Sequence, residues 1–307
     1  MVSLQKNAMV TVIFRILCLS FFSPYIFASD SPGLPGIMLF TASQDKNWDV
    51  YAWYGDTQRI VRLTKTLYDE KSPALSPDKS TVAYVTTDGR LMLRDSHSGK
   101  EEVVDTQGFS GLWDSPSFSQ NGRYLAASYF ATRDSDHAQI AIIDLRTRQA
   151  NIPIDQFGSQ FDPAWDPKGG RIIYGYTHCS SACGHVIQEP WLLNTGRHSA
   201  NQLLMTNSNA SGFSWSPDGN HIAFSADIDG NYDIWLLEID TKRLTKLTTY
   251  PGLDDAPAFG PDGKRIAFLS NRSGRKGIWI KDLESGSVMP FKPLPDNDVS
   301  YNYIDWK

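Results

Sequence analysis

The sequence predicts an all-β chain folded as a six-bladed β-propeller, with the ring closed by a C-terminal strand joining the N-terminal blade. Three observations carry this. A unit of two short apolar strands around a tight turn occurs five times, from Pro73, Pro116, Pro163, Phe213 and Pro257. The starts lie 43, 47, 50 and 44 residues apart, the period of a four-stranded blade. The two ends of the chain hold complementary parts of a sixth unit. A helical solenoid of similar period would place an apolar residue every three or four positions, whereas these apolar runs are short and alternate.

The unit is clearest at Phe213-Ser-Trp-Ser-Pro-Asp-Gly-Asn-His-Ile-Ala-Phe224. Pro217 presets φ at the second turn position, Asp218 suits the third, and Gly219 can take the positive φ that starts the returning strand. The other copies are Pro73 to Tyr84, Pro116 to Ala127, Pro163 to Tyr174 and Pro257 to Phe268. Each second strand mixes bulky and small apolar residues, as in Ile222-Ala-Phe224, because a blade is buried on both faces. Each first strand places one bulky residue: Leu75, Phe118, Trp165, Trp215, Phe259 and Trp306. These are read as core between blades rather than as a stacking surface for a ligand.

From the N-terminus, residues 1–28 read as a signal peptide. Lys6 and Arg15 supply positive charge, no acidic residue precedes Asp30, and the apolar run Ile16 to Phe27 ends in Ala28. A start at Met9 would give a more regular signal. The run is shorter than the roughly 20 residues a membrane span needs, so no membrane insertion is expected after cleavage. Cys18 follows Leu17 rather than a small residue, which argues against lipidation. Residues 29–36 form a short linker, and residues 37–307 the propeller. Ile37 to Thr41, Asp49 to Trp53 and Ile60 to Thr64 match the strands that follow the turn in other units. The missing first strand is Ile304-Asp-Trp306, which matches Pro257-Ala-Phe259. Pairing the two termini leaves no open seam in the ring.

The Ser-Pro-Asp-Gly hairpins, the strand starts Asn231-Tyr-Asp-Ile-Trp235 and Asn47-Trp-Asp-Val-Tyr51, and the strand ends Leu63-Thr64 and Leu247-Thr248 resemble the TolB-like propeller repeats of bacterial periplasmic proteins. The resemblance covers roughly residues 37–307. It implies a periplasmic or secreted propeller and, more weakly, a role in Tol-Pal-like maintenance of the cell envelope. TolB carries an α/β domain ahead of its propeller; the span from Ser29 to Gly36 leaves no room for one here.

Composition narrows the function classes. The net charge is −5, or −7 once the two cations Lys6 and Arg15 leave with the signal, and no basic run occurs, which excludes nucleic acid and anionic membrane as expected partners. The same repeats accompany peptidase domains, but no Gly-x-Ser-x-Gly elbow is present; Gly212-Phe-Ser-Trp-Ser216 ends in Ser and lies inside a repeat. No cofactor is predicted. Asp227-Ile-Asp-Gly-Asn-Tyr-Asp233 has calcium-type oxygen ligands, yet its Gly stands fourth and no Glu stands twelfth, so a hairpin turn is the stronger reading and calcium the minority one. His178-Cys-Ser-Ser-Ala-Cys-Gly-His185 could ligate zinc or copper. A Cys179–Cys183 disulfide is favoured, these being the two cysteines left after signal removal in an oxidising compartment.

The leading expectation is a non-catalytic, monomeric binding scaffold for an envelope protein or small ligand. The alternative is a channel-mouth metal-dependent hydrolase or lyase. The binding site is expected where the loops entering the first strands converge, with Glu70, Trp113, Asp114, Asp162, Asp254, Asp255, Tyr301 and Tyr303 as its residues. Carboxylates from several blades would focus a negative potential for a Lys- or Arg-bearing segment or a cation, and the aromatics offer rigid contact area. Asp162 has the simpler role of a turn residue open to it.

Overall fold

The computed structural model describes residues 33–44, 47–133, 135, 137–179, 184–295 and 298–307. Residues 1–28, expected to be a signal peptide, and Cys183 lie outside them. The described strands form six four-stranded antiparallel sheets. Blade one is built from both termini: β1 (Ile37–Gln44), β2 (Asn47–Tyr54) and β3 (Arg59–Arg62) with β24 (Ser300–Trp306) on the inside. Blade two runs β4 (Glu70–Leu75), β5 (Thr81–Thr86), β6 (Leu91–Asp95), β7 (Glu101–Val103), and blade three β8 (Leu112–Phe118), β9 (Tyr124–Phe130), β10 (Ala138–Asp144), β11 (Gln149–Asn151). Blade four runs β12 (Ser159–Trp165), β13 (Arg171–Cys179), β14 (Val186–Asn194), β15 (Ser199–Gln202). Blade five runs β16 (Ala210–Trp215), β17 (His221–Ala226), β18 (Asp233–Glu238), β19 (Leu244–Lys246), and blade six β20 (Asp254–Phe259), β21 (Arg265–Ser270), β22 (Gly277–Asp282), β23 (Val288–Phe291).

The repeated hairpins form as their chemistry dictates. In blade five the Gly219 N–H donates to Ser216 O at 2.8 Å and Gly219 has φ +66°. Asp218 accepts the Ser216 hydroxyl at 2.6 Å and the Asn220 N–H at 3.0 Å, which keeps its carboxyl below the ordinary range. Lys79 fills the glycine position of blade two with φ +63°, a strained choice for a residue with a Cβ.

The third and fourth strands are tied by the motifs that carry the TolB resemblance. Thr64 and Thr248, from the two Leu-Thr pairs, accept the Val50 and Ile234 N–H groups through their hydroxyls at 2.8 and 2.9 Å. Asn47 and Asn231 donate to the carbonyls of Thr66 and Tyr250 at 2.9 and 2.8 Å. These residues brace outer strands, which is why the motifs report fold rather than activity.

The core lies between blades. Ala83, Ala223 and Ala267 are fully buried, as are their bulky neighbours Tyr84, Phe224 and Phe268. Ring closure is double: β24 pairs with β1 from Met38↔Trp306 to Ser43↔Ser300, and Ile37 and Lys307 exchange backbone bonds of 2.7 and 2.9 Å. The Trp306 indole N–H donates to Pro35 O at 2.7 Å.

Candidate functional site

All inner strands run from the face where the long connections enter toward the face of the Ser-Pro-Asp-Gly turns. Each ladder breaks at one place. The register slips between Lys71/Ala74, Asp114/Ser117, Phe161/Ala164, Ser211/Ser214 and Asp255/Ala258, and between Phe40/Thr41 where β24 bulges against β1. At every slip one residue has a left-handed backbone: Ser72, Ser115, Asp162, Gly212, Ala256 and Tyr303, with φ between +49° and +63°. In four blades proline follows it, and a residue without an N–H suits a point where the ladder is unpaired. The six bulges form a ring around the central channel.

Four of the eight predicted residues meet at this ring. Asp114 accepts Lys71 Nζ at 2.6 Å, the Ser72 hydroxyl at 2.9 Å and the Ser115 N–H at 2.7 Å. Asp162 accepts the Ser115 hydroxyl at 2.9 Å and the Gly212 N–H at 3.4 Å. Burial holds its carboxyl above the ordinary range, the Ser115 hydroxyl opposes this, and the charge of Asp114 adds to it. Asp255 is raised by burial and drawn back by Lys276, whose ammonium lies 2.8 Å away. The Tyr303 phenol is pushed up to about 12, by burial first and then by the charge of Asp114.

The other four are turned between blades. Glu70 is 1% exposed and accepts the hydroxyls of Thr64, at 2.9 Å, and Thr66; burial raises its carboxyl despite these bonds. Asp254 is fully buried and takes both oxygens to Arg272 Nη2, at 2.9 and 2.7 Å. Trp113 is buried against Phe109 and Tyr129, and Tyr301 against Phe40. All four occupy one register position, paired with Thr86, Ser270, Tyr129 and Ala42. Side chains alternate along a strand, so the next residue, Asp114 or Asp255, turns the opposite way.

Sequence reasoning missed a second feature. A cavity of about 600 Å³ opens on the turn side of the ring, among the residues that flank the short Ser-Pro-Asp-Gly turns. Its wall carries the one bulky residue per blade: Leu75, Phe118, Trp165, Trp215, Phe259 and Trp306. Five of these are buried as inter-blade core, and Trp165 is half-buried. The wall ends at the bulge ring, with Asp162, Asp255 and Tyr303 in it. The proline two residues before the bulky residue in four of the first strands was visible in the sequence, but the cavity was not.

The remaining candidates have local partners. In the calcium-like turn Asp229 and Asp233 both meet Lys246, at 2.6 and 2.8 Å, and Asp227 accepts the Asn209 N–H at 2.6 Å. His178 lies 2.9 Å from the buried Glu189, and Cys179 is exposed at the end of β13.

Comparison with known proteins agrees with this architecture. Residues 191–296 match the family model described as TolB beta propeller domain. The Tol-Pal system protein TolB of Francisella tularensis subsp. mediasiatica (strain FSC147) is 39% identical over 46 residues, which is 15% of this chain and 11% of that protein. The meiotic recombination protein rec14 of Schizosaccharomyces pombe is 30% identical over 112 residues, 33% of this chain and 36% of that protein. The chain thus spans a minor part of the curated relatives it matches. Among solved structures, TolB from Acinetobacter baumannii superposes with a TM-score of 0.74 at 22% identity, covering 90% of this chain and 67% of that one. A putative TolB from Agrobacterium tumefaciens gives 0.68 at 17% identity, covering 89% and 98%. An oligogalacturonate lyase in complex with manganese gives 0.59 at 16%, covering 83% and 73%. At these identities the shared property is the fold, a TolB-like six-bladed propeller.

Proposed function

We propose that this TolB-like propeller is an exported, non-catalytic scaffold of the bacterial periplasm that binds an envelope protein or small ligand on the face where its loops enter the inner strands. One observation carries the reading. The large exposed apolar side chains among the described residues, Leu67, Tyr68, Val103, Phe157, Val186 and Met205, all belong to this face. Leu67, Tyr68, Phe157 and Met205 sit in connections leading to inner strands, Val103 ends β7, and Val186 begins β14. Leu67 and Phe157 are almost wholly exposed, at 96% and 103%. Apolar side chains gathered on one face mark an interaction surface, and aromatic and Met residues are enriched at such contacts. Asp114, with a quarter of its side chain exposed, adds a charged group that selects the partner's orientation.

The likeness to the Tol-Pal system protein TolB supports a Tol-Pal-like envelope role and, with the signal-like segment 1–28, a periplasmic address. The oligogalacturonate lyase shares the fold and binds manganese. Among the described residues no three His, Cys, Asp or Glu are grouped so as to hold a metal ion.

The test is capture from a bacterial envelope extract by three forms: wild type, Leu67→Ser/Phe157→Ser/Met205→Ser, and Asp114→Asn/Asp255→Asn. The expected outcome is loss of the same captured protein by both variants, with the apolar-face variant melting at the wild-type temperature. Undiminished capture by both removes the site from this face.

A further inference from the structure

The cavity on the turn side of the ring lies opposite the face of the reading above and shares with its test only Asp255, at the ring between them. Its size lies within the range of small-molecule pockets, about 300–1,000 Å³. Its wall is predominantly apolar and includes Trp165, Trp215 and Trp306, while Asp162, Asp255 and Tyr303 are polar groups in it at the bulge ring. A mainly apolar wall with a few converging polar groups orients a ligand by its polar end.

The carboxylates identify that end. Four aspartates line the cavity, and three have a cationic partner. Asp166 meets Arg171 at 2.5 Å, Asp255 meets Lys276 at 2.8 Å, and Asp305 meets Lys307 at 3.7 Å. Asp162, at the ring, has no Lys or Arg partner among the described residues. Lys71, whose charge acts on Asp162, is engaged by Asp114 at 2.6 Å. An ionised carboxylate offers about four acceptor positions, and Asp162 receives one hydroxyl at 2.9 Å and one long N–H contact at 3.4 Å. Asp162 is half-buried on the cavity wall, and a carboxylate partly withdrawn from water and short of donors gains from a cation that joins it. The burial that raises its pKa has the same origin.

We propose that the turn-side cavity is a second binding site, taking an apolar ligand whose one protonated amine reaches the carboxylate of Asp162. The apolar body lies against the indole-bearing wall, and the ammonium donates to the open positions of Asp162. An aralkylamine and the free N-terminus of an apolar peptide share this chemistry. A neutral isostere would leave the carboxylate unpaired and bind more weakly.

Isothermal titration of the full mature chain tests this with two probe pairs: tryptamine against tryptophol, and Leu-Leu-Leu amide with a free against an acetylated N-terminus. For the wild type, the amine member of at least one pair is expected to bind at least about tenfold more tightly than its neutral partner, as for a charge-assisted bond. The pair that discriminates identifies the source, small amine or peptide terminus. Asp162→Asn should reduce the amine to the affinity of its neutral partner. Equal affinity within both pairs, or no binding by any probe, overturns the proposal. Full amine binding by a folded Asp162→Asn protein does so as well. If that variant does not fold, the comparison within pairs on the wild type still decides. Failure of envelope-protein capture would leave these titrations unaffected, so the two proposals fail separately.

Discussion

Neighbouring aspartates in this protein do different work. Asp254 is fully buried with Arg272 on both oxygens, whereas Asp114 keeps a quarter of its side chain exposed and three donors around it. Removing one charge of a buried pair strands the other and costs roughly 3–5 kcal/mol. Asp254→Asn is therefore expected to lower the urea-unfolding free energy by about 3 kcal/mol or more, and Asp114→Asn by less than half of that. Equal losses would contradict the alternation assigned to these strands. Asp162 makes a prediction in pH. Its folded pKa is raised, so its contribution to stability is complete below the unfolded value near 4 and is lost as pH rises through the folded value. An Asn at that position does not titrate. The melting temperature of Asp162→Asn minus that of wild type should therefore be larger near pH 7 than near pH 3. A difference that does not vary over this interval would show that Asp162 pays no burial penalty.

At the scale of elements, the β13–β14 hairpin stands out. Each strand has nine residues, where β5 and β6 of blade two have six and five, and the extra length carries His178, Cys179 and Val186 on the loop-entering face. Cys183 falls between these strands in the sequence and lies outside the described residues. A Cys179–Cys183 disulfide is predicted, closing a small loop and pinning the hairpin tip with modest effect on global stability. Thiol titration of denatured, unreduced mature protein should find no reactive thiol; two would favour the metal-ligating reading. The bulges in the inner strands are the other device of this scale. By inserting one residue, each reverses which face the following side chains address. Without the bulge, Phe118 and Phe259 could not fall between blades on the strands that also aim Asp114 and Asp255 at the channel.

For the whole molecule, closure by β24 is the critical joint. Deleting residues 299–307 removes Trp306, 2% exposed, its bond to Pro35, and the β24–β1 ladder. Loss of a buried Trp alone costs about 3–5 kcal/mol, and unpairing the edge of blade one adds to it. The truncated protein is expected to melt at least roughly 10 °C below wild type or without a cooperative transition. Differential scanning calorimetry decides this, and an unchanged transition would mean that the ring does not depend on its seam.

What could be read from the residues alone was everything set by local chemistry and by period. The Ser-Pro-Asp-Gly turns, the blade spacing and the complementary ends specify six blades and their closing strand, because turn geometry and strand alternation act within a few residues. Asp114, Asp162, Asp255 and Tyr303 were legible as a cluster because equivalent repeat positions must converge on one axis. Tertiary structure decided the rest. Whether Glu70 or Lys71, Asp254 or Asp255, faces the channel depends on where the ladder slips, and a one-residue slip exchanges the two faces of a strand. The turn-side cavity, likewise, is the space left when six bulky side chains from six blades meet around one axis. No segment of a few residues contains that sum, so it appears only when the ring is closed.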